Sequence, residues 1–344
     1  MKEEGLDLVH IIGPKTAHSY HPDARREINR RLDAIAAPGR KPTPENIRFT
    51  TWTLKYNRMN WVTVDELEQH WERARVEADL DDHANSIRVT TTNVAALTLN
   101  FEPGACPLDP TRPPKFTIDG RELAGPRVAS DRSFIAHFRK SAGQWTLAAS
   151  PDTDPTLRKR HNLQGPIDDA FMDSFLMVRP TGQPLHERTG AWVATELAHA
   201  TNQWRQHFHG DARVKDDTAI TTNDLAAHNL ILWGDPSSNE VLKQIADRLP
   251  LQWTAQQVAF GKQTYPGATH VPILIYPNPL NPKKYIVLNS GFTFREYDYL
   301  NNARQVPKLP DFAVVDITTP VTPRAPGVIA TAGFFGEQWE LPKK

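Results

Sequence analysis

The sequence predicts a multi-domain α+β protein built from three parts that differ in their pattern of apolar and polar residues. Residues 1–40 contain a strand-length apolar run, a polar loop and an amphipathic segment. Residues 45–150 hold short runs of β-branched and aromatic residues, whereas residues 165–340 alternate apolar runs with helix-length segments. Proline-rich stretches separate these parts. The length of 344 residues fits two or three domains at about 150 residues each.

The composition excludes several classes of protein. With 40 Lys+Arg and 40 Asp+Glu the net charge is zero, so the chain lacks the basic field that sequence-independent nucleic-acid binding needs. Cys106 is the single cysteine, which excludes an internal disulfide framework and a CxxC metal site. No apolar run approaches the ~20 residues of a membrane span, and the N-terminus lacks a signal-peptide pattern. We therefore expect a soluble protein that binds neither nucleic acid nor membrane, whose compartment and oligomeric state the pattern does not indicate.

Residues 1–40 predict a strand, a loop and a helix of the kind found in α/β sheets. The apolar run 6–12 is typical of a buried strand. A helix is expected over 23–37, because a proline precedes it and a Pro-Gly pair follows. The apolar positions of this helix fall on one face: Ile28, Leu32 and Ile35.

Residues 45–150 predict a β-sandwich. The segment 47–57 alternates apolar and polar side chains, as half-buried strands do. Similar strand signals, separated by glycine-containing turns, occur at 61–64, 73–78, 86–92, 95–101, 115–118, 133–139 and 145–148.

Residues 165–340 predict a Rossmann-like α/β domain with a mostly parallel sheet, because strands and helices alternate. Helices are expected at 185–209, at 237–248 with Ser238 as the cap, and at 295–304. Strands are expected at 229–234, 273–276, 285–288, 312–317 and 328–330.

The loop that follows the first predicted strand carries His18 and His21. A histidine between a sheet strand and a helix is placed to act as a general base, since it must reach both a nucleophile and a leaving group. The alternative is two surface histidines in a polar loop.

Several segments of the chain resemble a known family. They are HIIGPKTAHSYHPDARREI, FTTWTLKYNRMNWVTVDELEQHWERARVEA, NLQGPIDDAFMDSFLMVRPTG, DARVKDD and NLILWGDPSSN. Together they resemble the C-terminal part of large bacterial prolyl-oligopeptidase-like proteins, multi-domain α/β-hydrolases of peptidase and carbohydrate-esterase type. The resemblance implies that residues 1–40 end a hydrolase domain and that His18, or less closely His21, is the histidine of a triad. It also implies a β-sandwich, an accessory α/β domain, and a secreted or periplasmic full-length protein.

The chain departs from this family at the nucleophile. A Gly-x-Ser-x-Gly elbow should precede the histidine, and none occurs anywhere in the sequence. Ser290 follows a predicted strand but lacks the first glycine, whereas Ser237 and Ser238 lie in a strand-to-helix turn that resembles an elbow. The resemblance therefore implies a hydrolase without its nucleophile half, with Met1 as an internal start.

The turn 233–239 is a second candidate site. Amides at a helix N-terminus bind anions and polar ligands, and open α/β sheets bind ligands at the carboxyl ends of their strands. We expect Asp235 and Asn239 to contact a ligand there, and Asn278, in a proline-clamped loop, to face the same crevice. The alternative is an ordinary turn capped by serine.

Two sets of residues are candidate metal ligands, although no motif requires a cofactor. His207 and His209 lie in a His-x-His-x-Asp sequence, the front half of the metallo-β-lactamase motif, which occurs in a fold that includes lactone hydrolases. Asp152 and Asp154 are oxygen ligands at a spacing that suits Ca²⁺ or another divalent metal. The alternatives are a solvated helix end and surface turns.

The nine tryptophans could stack on sugars if they are exposed, but Trp52 and Trp61 fall in strand patterns that favour core packing.

The first functional hypothesis is a hydrolase of an ester, a lactone such as an acyl-homoserine lactone, or a peptide bond, with His18 as general base. Its substrate would be a small molecule or a carbohydrate or peptide ester. The second is a non-catalytic fragment that binds or scaffolds, and the third is a metal-dependent hydrolase that uses His207 and His209.

Overall fold

The protein is a mixed α+β structure with several sheets and few helices. The computed structural model describes residues 7–39, 41–150 and 155–342. The chain folds as two compact units, Met1–Glu45 and Asn46–Lys344. No helix in the described ranges is long and apolar enough to cross a membrane.

The first unit contains helix α1, Pro22–Ala36, which confirms the predicted helix to within a residue. His21 is its N-cap, and its Nδ1 accepts a hydrogen bond from the Asp23 amide at 3.3 Å. The strand predicted over 6–12 is wrong for the residues described, because 7–12 pair with no other strand. A single strand leaves its backbone groups unpaired and needs a neighbour to form. The predicted apolar face of the helix is largely exposed at Leu32 (57%) and Ile35 (72%).

The second unit begins with two sandwich-like sheets over residues 46–148. The first has the order β1-β4-β5-β7-β8 and the second β10-β9-β6-β3-β2, and within the described residues only the β5–β7 pair of these two sheets is parallel. The strands are β1 Asn46–Thr51, β2 Arg58–Met59, β3 Val62–Leu67, β4 Ala74–Asp81, β5 Ser86–Thr92, β6 Val94–Phe101, β7 Lys115–Ile118, β8 Arg121–Ala124, β9 Phe134–Ser141 and β10 Gln144–Ala148.

One hydrophobic core lies between these two sheets. Strand β4 buries every second residue, which is the signature of a sheet with one face on the core. Phe116 of the first sheet stacks on Phe134 of the second with ring centroids 5.6 Å apart. Trp61 is buried as expected, whereas Trp52 is 49% exposed and the core role predicted for it is wrong.

A seven-stranded sheet with the order β12-β11-β13-β18-β17-β19-β20 forms the rest of the unit. Three of its six strand pairs are parallel and three antiparallel, so the prediction of a mostly parallel sheet is wrong. The tight turn between β17 and β18 leaves room only for an antiparallel hairpin. The strands are β11 Phe175–Arg179, β12 Val214–Asp216, β13 Asn229–Leu232, β17 His270–Asn278, β18 Asn281–Leu288, β19 Phe312–Asp316 and β20 Val328–Gly333. A small sheet consists of β14 Gln252–Trp253, β15 Gln257–Phe260 and β16 Gln263–Pro266.

Three α-helices accompany this sheet in the described residues: α2 Glu187–Phe208, α3 Thr222–Ala227 and α4 Glu240–Ile245. The predicted helix 237–248 shortens to α4, and its cap is Asn239 instead of Ser238. The predicted helix 295–304 consists of two 3₁₀ turns, 296–300 and 302–304.

Candidate functional site

Four parallel strands end at one edge of the seven-stranded sheet. β11, β12, β13 and β18 run in the same direction, so the loops that follow them meet there. This edge is where open α/β sheets place their ligands. The loops that matter for the site are 180–186, 233–239 and 289–295.

Asp235 joins the first two of these loops. Its carboxylate is fully buried and accepts hydrogen bonds from the amides of Ser237 and Ser238 at 2.9 Å and of Leu185 at 2.8 Å. Three N–H donors satisfy a buried carboxylate, which makes its burial tolerable. Asp235 therefore holds the two loops together through these three bonds.

The serines of this turn are not arranged as a nucleophile and base. The buried Ser238 hydroxyl accepts from the Asp235 amide at 2.9 Å and donates to the Asp235 carbonyl at 3.3 Å. Ser237 is exposed. Asn239 is buried, where its Oδ1 caps α4 and its Nδ2 donates to the Trp233 carbonyl at 2.8 Å. The turn is thus organised by its own polar side chains.

The loop after β18 is tied to the same turn. The Asn289 side chain accepts from the Gly234 amide at 2.9 Å and donates to the Gly234 carbonyl at 3.0 Å. The Asn289 side chain thus extends the hydrogen bonding between β13 and β18 past the ends of the two strands. Gly234 has φ +108°, and a Cβ there would lie 2.6 Å from the Ser238 hydroxyl. The turn therefore requires glycine at this position.

A crevice of about 600 Å³ opens between the loop 180–186, the start of α2 and the turn at Gly234. Its volume lies within the ~300–1,000 Å³ typical of small-molecule sites. The walls are mainly apolar and include Pro180, Pro184, Ala191, Val193, Ala194 and Leu197. Such walls suit an apolar chain or ring.

The unpaired polar groups at the crevice lie at the N-terminus of α2, whereas Asp235 and Ser238, which also line it, are hydrogen-bonded within the turn. Within the described residues the amides of Glu187, Arg188 and Thr189 have no hydrogen-bond acceptor, and the N-cap His186 provides no side-chain cap. The Thr189 hydroxyl is buried without a partner, and this residue lines the crevice. Unpaired amides at a helix start favour an acceptor atom. A buried hydroxyl without a partner is costly, and a rotation of the Thr189 side chain toward the crevice would let a ligand oxygen satisfy it.

A smaller polar hollow of about 110 Å³ lies at the same edge, beside the opposite side of α2. Arg295 forms a buried ion pair with Glu196 at 2.8 Å. Ser290, which follows β18, donates its hydroxyl to the Gly291 carbonyl at 2.8 Å. His199 on α2 pairs through Nε2 with the Glu296 carboxylate at 2.7 Å. A serine and a carboxylate-bound histidine therefore share this part of the edge.

The predicted residues His18 and His21 belong to the first compact unit, and Asn278 lies in the β17–β18 turn of the second. His18 is exposed in the loop before α1, and His21 caps that helix. Asn278 pairs with Asn281 at the start of β18, which is the end of the sheet opposite to the carboxyl ends. The expectation that Asn278 faces the crevice is therefore wrong, because a hairpin turn necessarily lies at the amino end of its second strand.

The predicted metal ligands do not form a cluster in the residues described. His207, near the end of α2, packs among aromatic rings, with the Tyr299 ring centroid at 4.0 Å, and burial lowers its pKa. His209 is the exposed C-cap in the left-handed conformation. Asp152 and Asp154 lie outside the described residues. Across 7–39, 41–150 and 155–342, no group of three or more His, Cys, Asp or Glu side chains could hold a metal ion.

The sequence interpretation missed Thr189, His199, Glu296 and the Arg295–Glu196 pair. Thr189 had one local signal, a helix start without a Ser, Thr, Asp or Asn cap. The others come from segments about 100 residues apart, so no spacing pattern could have grouped them.

No protein-family model, curated protein or solved structure matches the chain.

Proposed function

We propose that this chain is a binding module for a small acyl compound, an ester or a lactone with an apolar chain. One observation carries the proposal: a mainly apolar crevice at the carboxyl ends of the parallel strands ends at unpaired donors. The apolar chain would lie against the walls, and the carbonyl oxygen would meet the first amides of α2 and, once its side chain rotates toward the crevice, the hydroxyl of Thr189. Each part of the ligand thus has a matching surface.

The charges around the crevice favour a neutral carbonyl over a phosphate. Arg179 lines the crevice, but its guanidinium pairs with Asp216 at 2.6 Å. Glu187 lines the same space. A phosphate would meet this carboxylate without a free cation to balance it, whereas a carbonyl needs only hydrogen-bond donors.

The test is binding of an octanoyl ester and an N-octanoyl lactone, measured by isothermal titration calorimetry on the whole chain. Ala194→Trp fills the crevice and should weaken binding by about tenfold or more. Thr195→Trp is the matched control, because Thr195 is the next residue of α2 and does not line the crevice. Equal affinity of both variants would reject the proposal.

A second change separates binding from folding. Thr189→Val keeps the shape of the side chain and removes the buried hydroxyl that has no partner. It should raise the stability of the chain by about 1 kcal/mol or more, because an unsatisfied buried group is lost. It should also weaken ligand binding. A variant that is more stable and binds as well as the wild type would remove Thr189 from the site.

Hydrolysis is the second candidate function, favoured by the pairing of His199 with Glu296 near Ser290. In this proposal Glu296 holds Nε2 of His199, and Nδ1 takes the proton of the Ser290 hydroxyl as its oxygen bonds to the acyl carbon. The acyl–oxygen bond of the substrate breaks, the proton passes from His199 to the leaving alcohol oxygen, and water then hydrolyses the acyl-serine. The Ser290 hydroxyl would first have to leave the Gly291 carbonyl.

Turnover assays on the same ester and lactone distinguish the candidates. Loss of activity in Ser290→Ala and His199→Gln would support hydrolysis in the polar hollow. Loss in His18→Ala alone would support the general base that the family resemblance implies, and loss on chelation would support a metal mechanism at His207 and His209. Binding without turnover leaves the binding module as the function.

A further inference from the structure

An aromatic pair lies at the surface where the sandwich meets the seven-stranded sheet. Trp71 lies between β3 and β4, and Phe334 follows β20 directly. Their ring centroids are 5.5 Å apart with an interplanar angle of 40°. Trp71 is 36% and Phe334 42% exposed, although large rings normally gain stability by burial. We call this pair the aromatic ridge.

The backbone of Trp71 is held in an unfavourable conformation. Its φ is +66°, a region that glycine adopts freely and a bulky side chain does not. The fold maintains it, because the Trp71 amide donates to the Trp52 carbonyl at 2.9 Å and the neighbouring His70 binds the Glu337 carboxylate at 2.7 Å. These contacts therefore hold the Trp71 ring at the surface against the preference of its backbone.

The aromatic ridge lies between two hollows. A hollow of about 850 Å³ is enclosed by the β3–β4 connection and the C-terminal segment 334–342. A second hollow of about 430 Å³ is lined by Pro166, Pro307 and Leu309. Trp71 and Phe334 line both. An extended ligand could therefore cross the ridge and extend into the hollow on each side.

The polar groups around the larger hollow suit hydroxyl groups. Exposed amides and carboxylates line it: Gln69, Glu72, Gln338 and Glu340. Its cations are already paired, Lys159 with Asp311 at 2.6 Å and Arg158 with Glu66. Lys308, which lines the smaller hollow, pairs with Asp298 at 3.1 Å. The available groups can accept from hydroxyls, and the amides can also donate to them, whereas an anion would find each described cation of the two hollows already paired.

We infer that the aromatic ridge and its two hollows bind a short neutral oligosaccharide. The apolar C–H face of a sugar ring packs on an aromatic ring, and the hydroxyls at its edge bond to the amides and carboxylates. A cationic peptide would also meet rings and carboxylates. The side-chain amides and the two separate hollows favour the hydroxyl-rich chain. This site shares no lining residue with the crevice at the strand ends, so the two proposals stand or fall separately.

The experiment is affinity gel electrophoresis of the whole chain in gels that contain soluble β-glucan, xylan or starch. At least one polysaccharide should retard the wild type. Trp71→Gly removes the ring and relieves the positive φ, so we expect unchanged or higher thermal stability with about tenfold or more weaker binding. Phe334→Ala should also weaken binding. Trp52→Ala is the matched control, since Trp52 is exposed on the same part of the chain but lines neither hollow.

Three results would overturn the inference. The first is a wild-type chain that none of the polysaccharides retards. The second is a Trp71→Gly variant that binds as the wild type does. The third is retardation that high salt or a soluble polylysine abolishes, which would identify a site for cationic peptides instead.

Discussion

At the scale of single residues, Asp168 is a carboxyl whose pKa burial raises. It accepts hydrogen bonds from the Thr293 amide at 3.0 Å and from the Thr293 hydroxyl at 2.5 Å. Burial nevertheless dominates and raises the pKa of Asp168 from its ordinary value of 3.8 to about 6. The folded protein therefore holds this proton more tightly than the unfolded chain does.

This shift predicts how stability depends on pH. Because the folded pKa lies above the unfolded one, the contribution of Asp168 is fully present below about pH 4 and is lost as the pH rises through about 6. The free energy of unfolding should fall by at most about 3 kcal/mol over this pH range, and by less because solvent screens the carboxylate. Asp168→Asn should remove this fall, which urea unfolding at a series of pH values would measure.

Asp173→Asn is the control for that experiment, because its carboxyl has the opposite shift. The hydrogen bond from Lys284 holds the pKa of Asp173 below its usual value. Its stabilising effect is therefore present at neutral pH and lost as the pH falls below about 4. A wild-type profile that Asp168→Asn leaves unchanged between pH 4 and 7 would contradict the assignment.

At the scale of elements, helix α4 depends on one side chain. Its six residues are too few to be stable alone. Asn239 caps it by accepting from the Leu242 amide at 3.0 Å and also donates to the Trp233 carbonyl at 2.8 Å. One buried amide thus fixes the start of the helix to the end of β13.

Asn239→Ala should lower the free energy of unfolding by about 2–4 kcal/mol. The cap accounts for about 1 kcal/mol or more, and the Trp233 carbonyl is left without its donor in a buried place. Thr221→Ala is the matched control, since Thr221 caps α3 at the surface and should cost only about 1 kcal/mol. If guanidinium unfolding shows the same loss of stability in both variants, the hydrogen bond from Asn239 to the Trp233 carbonyl does not contribute to stability.

At the scale of the whole second unit, buried ion pairs join its parts. Lys159, in the segment after the sandwich, pairs with Asp311 at 2.6 Å, and both side chains are fully buried. Lys55 of the sandwich pairs with Asp169 at 2.9 Å. The sandwich and the seven-stranded sheet should therefore unfold together.

Lys159→Met should destabilise the second unit by about 3–5 kcal/mol, because Asp311 is left as a buried charge. Adding Asp311→Asn to this variant should recover part of the lost stability. Lys284→Met is the control, since its pair with the exposed Asp173 should contribute less than about 1 kcal/mol. Two separate transitions in the wild-type unfolding curve, or a loss in Lys159→Met no larger than that of the control, would refute this account.

The sequence by itself determined what depends on neighbours a few residues away. The alternation in β4, the extent of α1 and the polar turn after β13 all follow from local spacing, turn residues and capping. The neutral charge and the single cysteine are likewise properties of composition alone. These features predicted the α+β class of the protein and a candidate ligand site at the carboxyl ends of the strands.

Only the tertiary structure decided what the polar residues of that edge do. Asp235, Ser238 and Asn239, the predicted site residues, are joined in the turn by their own hydrogen bonds, and Asp235 and Ser238 line the crevice. Asn278 lies at the opposite end of the sheet. The bond between Gly234 and Asn289 spans 55 residues of sequence. Such contacts depend on strand order and direction, which local periodicity does not encode, so the unpaired Thr189 hydroxyl and the exposed Trp71–Phe334 pair become visible only in the folded chain.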